Sequence, residues 1–575
     1  MGLSSSLNSG LTGLNTSSQK LNVAGNNIAN ANTTGYKRSR ITFETAITNT
    51  LREGTGPNEN LGGTNPTEVG LGSKTASITR EFSGGSLNPT GVNTDMAIEG
   101  DGLFVLQNGD KQRYTRAGNF DLDANNDLVT PNGWRVMGYG VDDNFNLQNA
   151  GDAEPLNIPL GNLTVAEATT NATFTGNLNT SGAEPTQGSF NQSNTLYSDP
   201  AANPGDQATA ATALTSLYDG SSATPLFATG DVITLDGVQK GDAELSKKTF
   251  EVNGTNTTGS DDNGTTLGEF NDFLADALGI QTSLSTGGVG VTNGQIEVTG
   301  NTGTANDLTI ESSDVVLDAG GSPTTPFQFS KTRSADGESI KTRLSAFDSL
   351  GNELDIDVSM VLEDKNNSGT TWRYYAESAD DSDVSRRLGT GTLDFNTNGE
   401  LLTDTNPTIT IDREDTGAQT PQQITLDLQG GGERDGVSAL SDTNSSLSVQ
   451  NQDGSATGTL ESFSVDQNGV IQGQFSNNLR RQLGQVALAR FSNPQGLADI
   501  GNNKFAATRN SGQPQIGEPT IGGRGGIVGG SLEQSNVDIS EAFVDMISAQ
   551  TGFQASSRII QTSSQLLQQL IQSTQ

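Results

Sequence analysis

Across the last forty residues, NVDISEAFVDMISAQTGFQASSRIIQTSSQLLQQLIQSTQ, an apolar residue returns at every seventh position: Ile539, Met546, Phe553, Ile560 and Leu567. A second row follows three residues after each: Ala542, Ala549, Ser556, Ser563 and Leu570. This a/d spacing predicts a long helix built to lie along other helices. No proline interrupts it, and the single glycine, Gly552, costs about 1 kcal/mol in a helix interior. Asn536 or Asp538 can cap the start, and Asp538 and Glu541 stand where the helix dipole favours negative charge.

The other terminus carries a matching stripe. Leu7, Leu14, Leu21 and Ile28 are spaced by seven, flanked by Leu3, Leu11 and Ala24. One amphipathic stretch ordinarily packs on its own domain. Two sustained stripes, one at each end, predict termini that pair with each other or with neighbouring copies. Off the stripes these ends are polar but nearly neutral: Lys20 is the sole charge between Met1 and Tyr36, and Arg558 between Met546 and Gln575. Exposed helices ordinarily carry Glu and Lys. The outer faces are therefore expected to be covered, or to meet something for which charge is a hindrance, with Ser17 and Gln561 on the solvent side.

Between the ends the pattern shortens to strands and turns. Residues 26–37, NNIANANTTGYK, read as a helix stop, because Asn and Thr side chains compete for backbone hydrogen bonds and Gly35 suits a left-handed conformation. A polar connector, 37–71, reads as extended and loop-like, and strands are expected from about Gly72. Short apolar runs separated by Asn108-Gly109 and Asn132-Gly133 predict a β-meander. One helix is predicted inside the β-rich middle: Thr266 and Glu269 form a capping box, Leu267, Phe270, Leu274 and Leu278 share a face, and Gly279 closes it. Asn468-Gly469 marks a further hairpin, and IGGRGGIVGG reads as a flexible link to the last helix.

The expected fold is mainly β with α-helical termini: a nested, multi-domain, elongated subunit whose terminal heptad helices pair as a coiled coil. Residues 1–36 and 537–575 form the helical core domain, and 37–71 the connector. An inner β domain takes 72–148 and 453–536, and a middle β domain 149–200 and 327–452. Residues 201–326 form a small inserted α+β domain.

Composition narrows the chemistry. The 575-residue chain is 31% hydrophobic and 5% aromatic, with 71 glycines, which suits β modules rich in turns. A net charge of −36 argues against nucleic acid and anionic membrane as partners. There are no cysteines and no histidines, which excludes disulfides, thiolate or imidazole metal sites and any His-assisted nucleophile. Asp121, Asp123, Asn125 and Asp127 alternate as in a calcium loop, but Asn126 and Asn132 occupy positions that need Gly and Glu, so a hairpin turn is expected and no metal or cofactor is assigned. The first twenty residues have no basic n-region and no apolar run of seven, so they are not read as a secretory signal peptide, and no stretch is apolar enough to insert in a membrane.

Several motifs resemble the flagellar rod and hook protein family. NNIANANTTGYK carries its N-terminal motif on Asn26, Asn27, Ile28, Ala29, Asn30, Thr33, Gly35 and Tyr36. DMAIEGDGLFVL, YTRAGNFDLD, LVTPNGWRVMGY and SLEQSNVDISEAFVDMISAQTGFQASSRIIQTSSQLL are similar to other shared segments. The large central part, with AFDSLGNELDIDVSMVLEDKNNSGTTW, is similar to hook members. GYKRSRITFE is also reminiscent of the distal rod member, which stands as the second reading; an acidic extracellular β-rich surface protein or adhesin stands as a third. The resemblance implies a structural, non-enzymatic subunit that polymerises with itself into a flexible curved tube outside the cell. The tube would carry torque and surround an export channel. Implied partners are the flagellar type III export apparatus, a distal rod protein, a hook cap protein and hook–filament junction proteins.

Overall fold

The computed structural model describes residues 2–59, 62–201, 203, 205–254, 259–284, 287–318, 323–430, 436–442 and 444–573. Among them are three α-helices: α1 (Gly2–Ala29), α2 (Leu267–Ala277) and α3 (Ile539–Ser573). Nearly all other regular structure is β-strand. The chain divides into two units, residues 1–163 with 459–575, and residues 164–458.

The first unit holds α1, α3 and a β body to which both halves of the chain contribute. Arg135–Tyr139 pairs through its first residues with Leu103–Asn108 and through its last with Arg480–Val486, so strands over three hundred residues apart in sequence are neighbours in one sheet. Leu103, Val105, Tyr114, Met137, Phe491 and Phe505 pack beneath it, with Tyr114 and Phe491 edge to face at 4.8 Å. Such aromatic pairs add about 0.5–1.5 kcal/mol beyond their buried area. The Asp121–Asp127 segment is a hairpin turn: Asp123 Oδ1 accepts from the amides of Asn125 and Asp127. Asn126 is left-handed there, and Asp127 pairs with Arg135.

Two stretches differ from their sequence reading. The connector is not loop-like. Ser39–Thr45 pairs antiparallel with Ser73–Arg80, and Thr48–Arg52 with Thr67–Gly70, so strands begin at Ser39 instead of near Gly72. These ribbons are largely open on both faces, so nothing selects the apolar/polar alternation by which strands are recognised. The glycine-rich link is not flexible either. Gly526–Gly529 pairs with Met96–Glu99, and Ser531–Glu533 with Leu87–Pro89. Glycine is required for close approach: a Cβ on Gly525 would lie 2.3 Å from the Glu99 carbonyl oxygen.

Among its described residues the second unit shows two large separate cores. One lies between a five-stranded meander (Ser339–Phe347, Glu353–Asn366, Gly369–Ser378, Arg387–Phe395, Leu401–Asp404) and a sheet built on Asn171–Asn177. Trp372, Tyr374, Phe174 and Ile356 fill it. The other draws on residues between Leu196 and Phe329 and is organised by α2. Phe270 and Phe273 of that helix meet Phe250 at 5.3 and 5.2 Å. The capping box is present, with the Thr266 hydroxyl accepting from the Glu269 amide, and Gly279 is left-handed beyond the helix end.

Candidate assembly site

The two terminal helices pack against each other and run antiparallel. Gly10 of α1 lies against Ile559 and Ile560 of α3, and Gly13 against Ser556. Ser17 meets Gly552, and the Lys20 ammonium reaches Asp545 at 3.0 Å. The seam is made of small residues. Ala24, Ala542, Ala549 and Ser563 are buried, and a Cβ on Gly13 would come within 2.8 Å of the Ser556 hydroxyl. Ser17 is therefore a seam residue, not the solvent-side position that the periodicity suggested; Gln561 is exposed.

The large apolar row takes a different place. Met546 and Ile560 are half-buried, while Ile539, Phe553, Leu567 and Leu570 are exposed. Phe543, Val544, Ile547 and Ile559 are exposed as well. In α1, Leu7, Leu14, Leu21 and Ile28 are half-buried and Leu11 is exposed. The heptad thus separates two roles: the small d row seats α3 on α1, and most of the bulky a row remains open. Among the described residues no helix is long and apolar enough to cross a membrane. Apolar surface of this extent is rarely left open to water on a protein that works alone.

The other side of α1 rests on the Ser39–Thr45/Ser73–Arg80 ribbon. The Ser73 amide donates to the Thr12 hydroxyl at 3.4 Å, and Thr75 hydrogen-bonds the Gln19 side chain. Asn27, buried at the last turn, donates from Nδ2 to the Ser39 carbonyl at 2.9 Å and accepts from the Ser39 amide at 2.9 Å. The buried Tyr36 hydroxyl also donates to Asn27 Oδ1.

The remaining motif residues shape the turn. Asn30 Nδ2 donates to Asn26 Oδ1 at 2.8 Å, and the Thr33 hydroxyl to Asn30 Oδ1 at 3.2 Å. Ala29 ends the helix in an exposed position. Gly35 lies six residues beyond that end, so its positive φ of 68° serves the turn instead of the helix cap. Its amide donates to the Glu533 carbonyl, and a Cβ there would lie 2.5 Å from the Ala117 amide nitrogen.

Periodicity alone misses the charged centre just past this motif. Lys37, Arg116 and Glu533 are all buried. Lys37 Nζ donates to Glu533 Oε1 at 2.8 Å and to the Ser83 carbonyl at 2.6 Å. Arg116 Nε donates to Glu533 Oε2, and its other nitrogens satisfy the carbonyls of Ile98, Gly100 and Gly102. The Gly85 amide donates to the same Glu533 carboxylate at 2.8 Å. Burial pushes the Lys37 ammonium below its ordinary value; Glu533 opposes that shift and Arg116 reinforces it. All three residues stand within quoted motifs, in GYK, YTRAG and SLEQ.

The next residue, Arg38, bridges Glu81 and Glu541 at 2.6 Å each, and its amide donates to Asn536 Oδ1. The cap of α3 is Asp538, whose Oδ1 accepts from the amides of Ser540 and Glu541. Asn536 instead ties the approach to α3 to the Glu81 carbonyl. Both terminal helices are thereby anchored at one corner of the β body.

The chain matches several family descriptions along its length. Residues 7–37 match the flagella basal body rod protein family, and 97–177 the D1 domain of flagellar hook protein FlgE/F/G. Residues 316–455 match the D2 domain of flagellar basal body protein FlaE, and 528–573 the C-terminal region of the flagellar basal body rod FlgEFG proteins. The flagellar hook protein FlgE of Borreliella burgdorferi is 31% identical over 572 residues, covering 98% of each chain. That of Treponema pallidum is likewise 31% identical with the same coverage. That of Escherichia coli is 25% identical, again over 98% of both.

Proposed function

Because this chain belongs to the flagellar hook protein family and is a structural subunit of the extracellular hook, we propose that α1 and α3 are the elements through which it polymerises. The observation that carries this reading is the open Ile539, Phe553 and Leu567 of the bulky row, with Leu570 at the open end of the other, beside a seam already closed by small residues. Neighbouring copies cover that row, and Leu7, Leu14, Leu21, Met546 and Ile560 extend the covered surface. Asn26, Asn27, Ile28, Ala29, Asn30, Thr33, Gly35 and Tyr36 fix the angle at which the helix pair leaves the β body.

The polymer is a curved, flexible tube that transmits torque and encloses an export channel. Its role is mechanical, with no catalysis. The near-neutral ends suit a channel wall, because a wall without charge retains transported chains of neither sign. The proposed partners are other copies of the chain, the export apparatus, a distal rod protein, a cap protein at the growing tip and the junction proteins beyond. The acidic remainder keeps neighbouring tubes apart in solution. Electron microscopy under polymerising conditions tests the reading. The full chain is expected to form curved hollow tubes, and a chain lacking its first and last thirty residues is expected to form none. Tubes from the shortened chain would overturn it, and straight tubes from the full chain would favour a rod-type role.

A further inference from the structure

Within the second unit, the body organised by α2 and the sandwich beside it keep their cores apart. The α2 core draws its fully buried members from Leu196 to Phe329, and the sandwich core from elsewhere in the unit; Val384 is a partly buried residue that reaches across. Polar contacts between them fall in two places, and at the second the buried Val361 and Tyr375 of the sandwich add apolar contact.

The first place is the C-terminal turn of α2. The buried Lys240 Nζ donates to the Leu278 carbonyl at 3.0 Å and to Glu377 of the sandwich at 2.5 Å. Gly279, at φ 63°, admits that carboxylate: a Cβ there would lie 2.7 Å from Glu377 Cδ. Arg387 of the sandwich pairs with Asp276 and donates to the Ile280 carbonyl at 2.9 Å. The Arg386 amide donates to the Asp276 carbonyl at 3.1 Å, and its guanidinium to the Ser246 hydroxyl at 2.7 Å. Two cations thus converge on the negative end of the helix dipole. A cleft of about 420 Å³, lined by Glu244, Arg343, Asp355 and Asp380 among others, opens beside this turn.

The second place is the Gly303–Asn306 turn. The Ala305 amide donates to the Ser339 hydroxyl at 2.8 Å, and Ser359 to Asn306 Oδ1 at 3.0 Å. It lies where the chain enters and leaves the inserted body, since the Gly303 amide donates to the Asp336 carbonyl and Asp336 in turn binds the Thr186 and Gln187 amides.

We propose that the α2 C-terminal turn is an electrostatic latch and the Gly303–Asn306 side a pivot, so that the inserted body swings away from the sandwich as a folded whole when the latch opens. The latch side is polar and the pivot side keeps the apolar contact of Val361, an arrangement that permits such motion between separately cored bodies, and a buried ion pair that loses one partner leaves an uncompensated charge that favours opening. This goes beyond the assembly role, which calls for no movement of the inserted body.

Amide hydrogen exchange on the full chain tests it. The Arg386 amide reports the latch because its acceptor belongs to the other body, while the Phe250 and Val358 amides report the two cores. In the wild-type chain under sub-denaturing urea, Arg386 is expected to exchange through an opening that leaves Phe250 and Val358 protected. Lys240→Met, and likewise Glu377→Gln, is expected to speed Arg386 exchange about a hundredfold with both core amides unchanged. Equal acceleration of all three amides would overturn the proposal, as would an Arg386 amide that the variants leave unmoved. Should neither variant fold, the wild-type chain decides: Arg386 exchange only through global unfolding overturns the latch.

Discussion

Asn27 and Ser39 exchange two hydrogen bonds, each of 2.9 Å, so that the Asn27 side chain stands in for a paired strand at the end of α1. An amide supplies both a donor and an acceptor in one plane, and no smaller side chain does this. Asn27→Ala leaves the Ser39 amide and carbonyl without that partner and is expected to cost about 1–3 kcal/mol. Asn27→Asp keeps the acceptor but sets a carboxylate oxygen against the Ser39 carbonyl, and is expected to be at least as damaging. Denaturant unfolding measures both, and wild-type stability in either variant would refute the bridge.

The Lys37, Arg116 and Glu533 cluster holds two cations and one anion. Removing the anion strands two buried positive charges, whereas removing Lys37 leaves Arg116 and Glu533 balanced. Glu533→Gln is therefore expected to cost about 3–5 kcal/mol, and Lys37→Met markedly less. The order of the two thermal midpoints checks the argument, and Lys37→Met as the more harmful change would reverse it.

Glycines of α1 divide by what surrounds them. A Cβ at Gly13 would meet Ser556, whereas nothing lies within 4 Å of one at Gly25. Gly25→Ala is expected to stabilise the helix by up to about 1 kcal/mol. Gly13→Val is expected to part α1 from α3 and abolish tube formation. Circular dichroism and electron microscopy read the two outcomes.

On the channel-facing placement proposed for α3, charge on its exposed side bears on transport. Gln554 and Gln561 are exposed on that helix, and lysine at both is expected to slow growth of parts assembled later, as acidic chains are held by a basic wall. An unchanged filament growth rate counts against a channel-facing position.

The Glu269 carboxyl is held below its ordinary value of 4.5, first by the Thr265 amide and then by that of Thr266. A carboxyl depressed in the folded state stabilises above its unfolded value, and that contribution is lost as the pH falls through the folded value. The urea midpoint of the wild-type chain is therefore expected to fall between about pH 6 and about pH 3, and Glu269→Gln to flatten that part of the dependence. Parallel curves for the two chains would dismiss the cap as its source.

The parts legible in the sequence were those with local signals. Thr266 and Glu269 announce α2 within four residues, and Asn468-Gly469 lies in the turn between two paired strands. The seven-residue period located α1 and α3 but gave no means of telling seam from open face. Both rows carry the period alike, and the backbones approach closely enough that Gly13, Gly552 and Ala549 occupy the seam. The Ser39–Arg80 ribbon was hidden because its Thr and Ser residues show no alternation. Glu533 was hidden for another reason: its partners stand 496 and 417 residues away, and no window along the chain brings such charges together.

The neighbours of Arg135–Tyr139 set a schedule for maturation. Its sheet cannot close until Arg480–Val486 has arrived, some 340 residues later, and pairings between distant segments are slow to form. A polypeptide emerging from one end leaves this body unfinished until the far strand is out, whichever terminus leads. A broken product missing either portion never completes a building block. The interleaved sheet thus ties completion of the body to both portions of one intact chain.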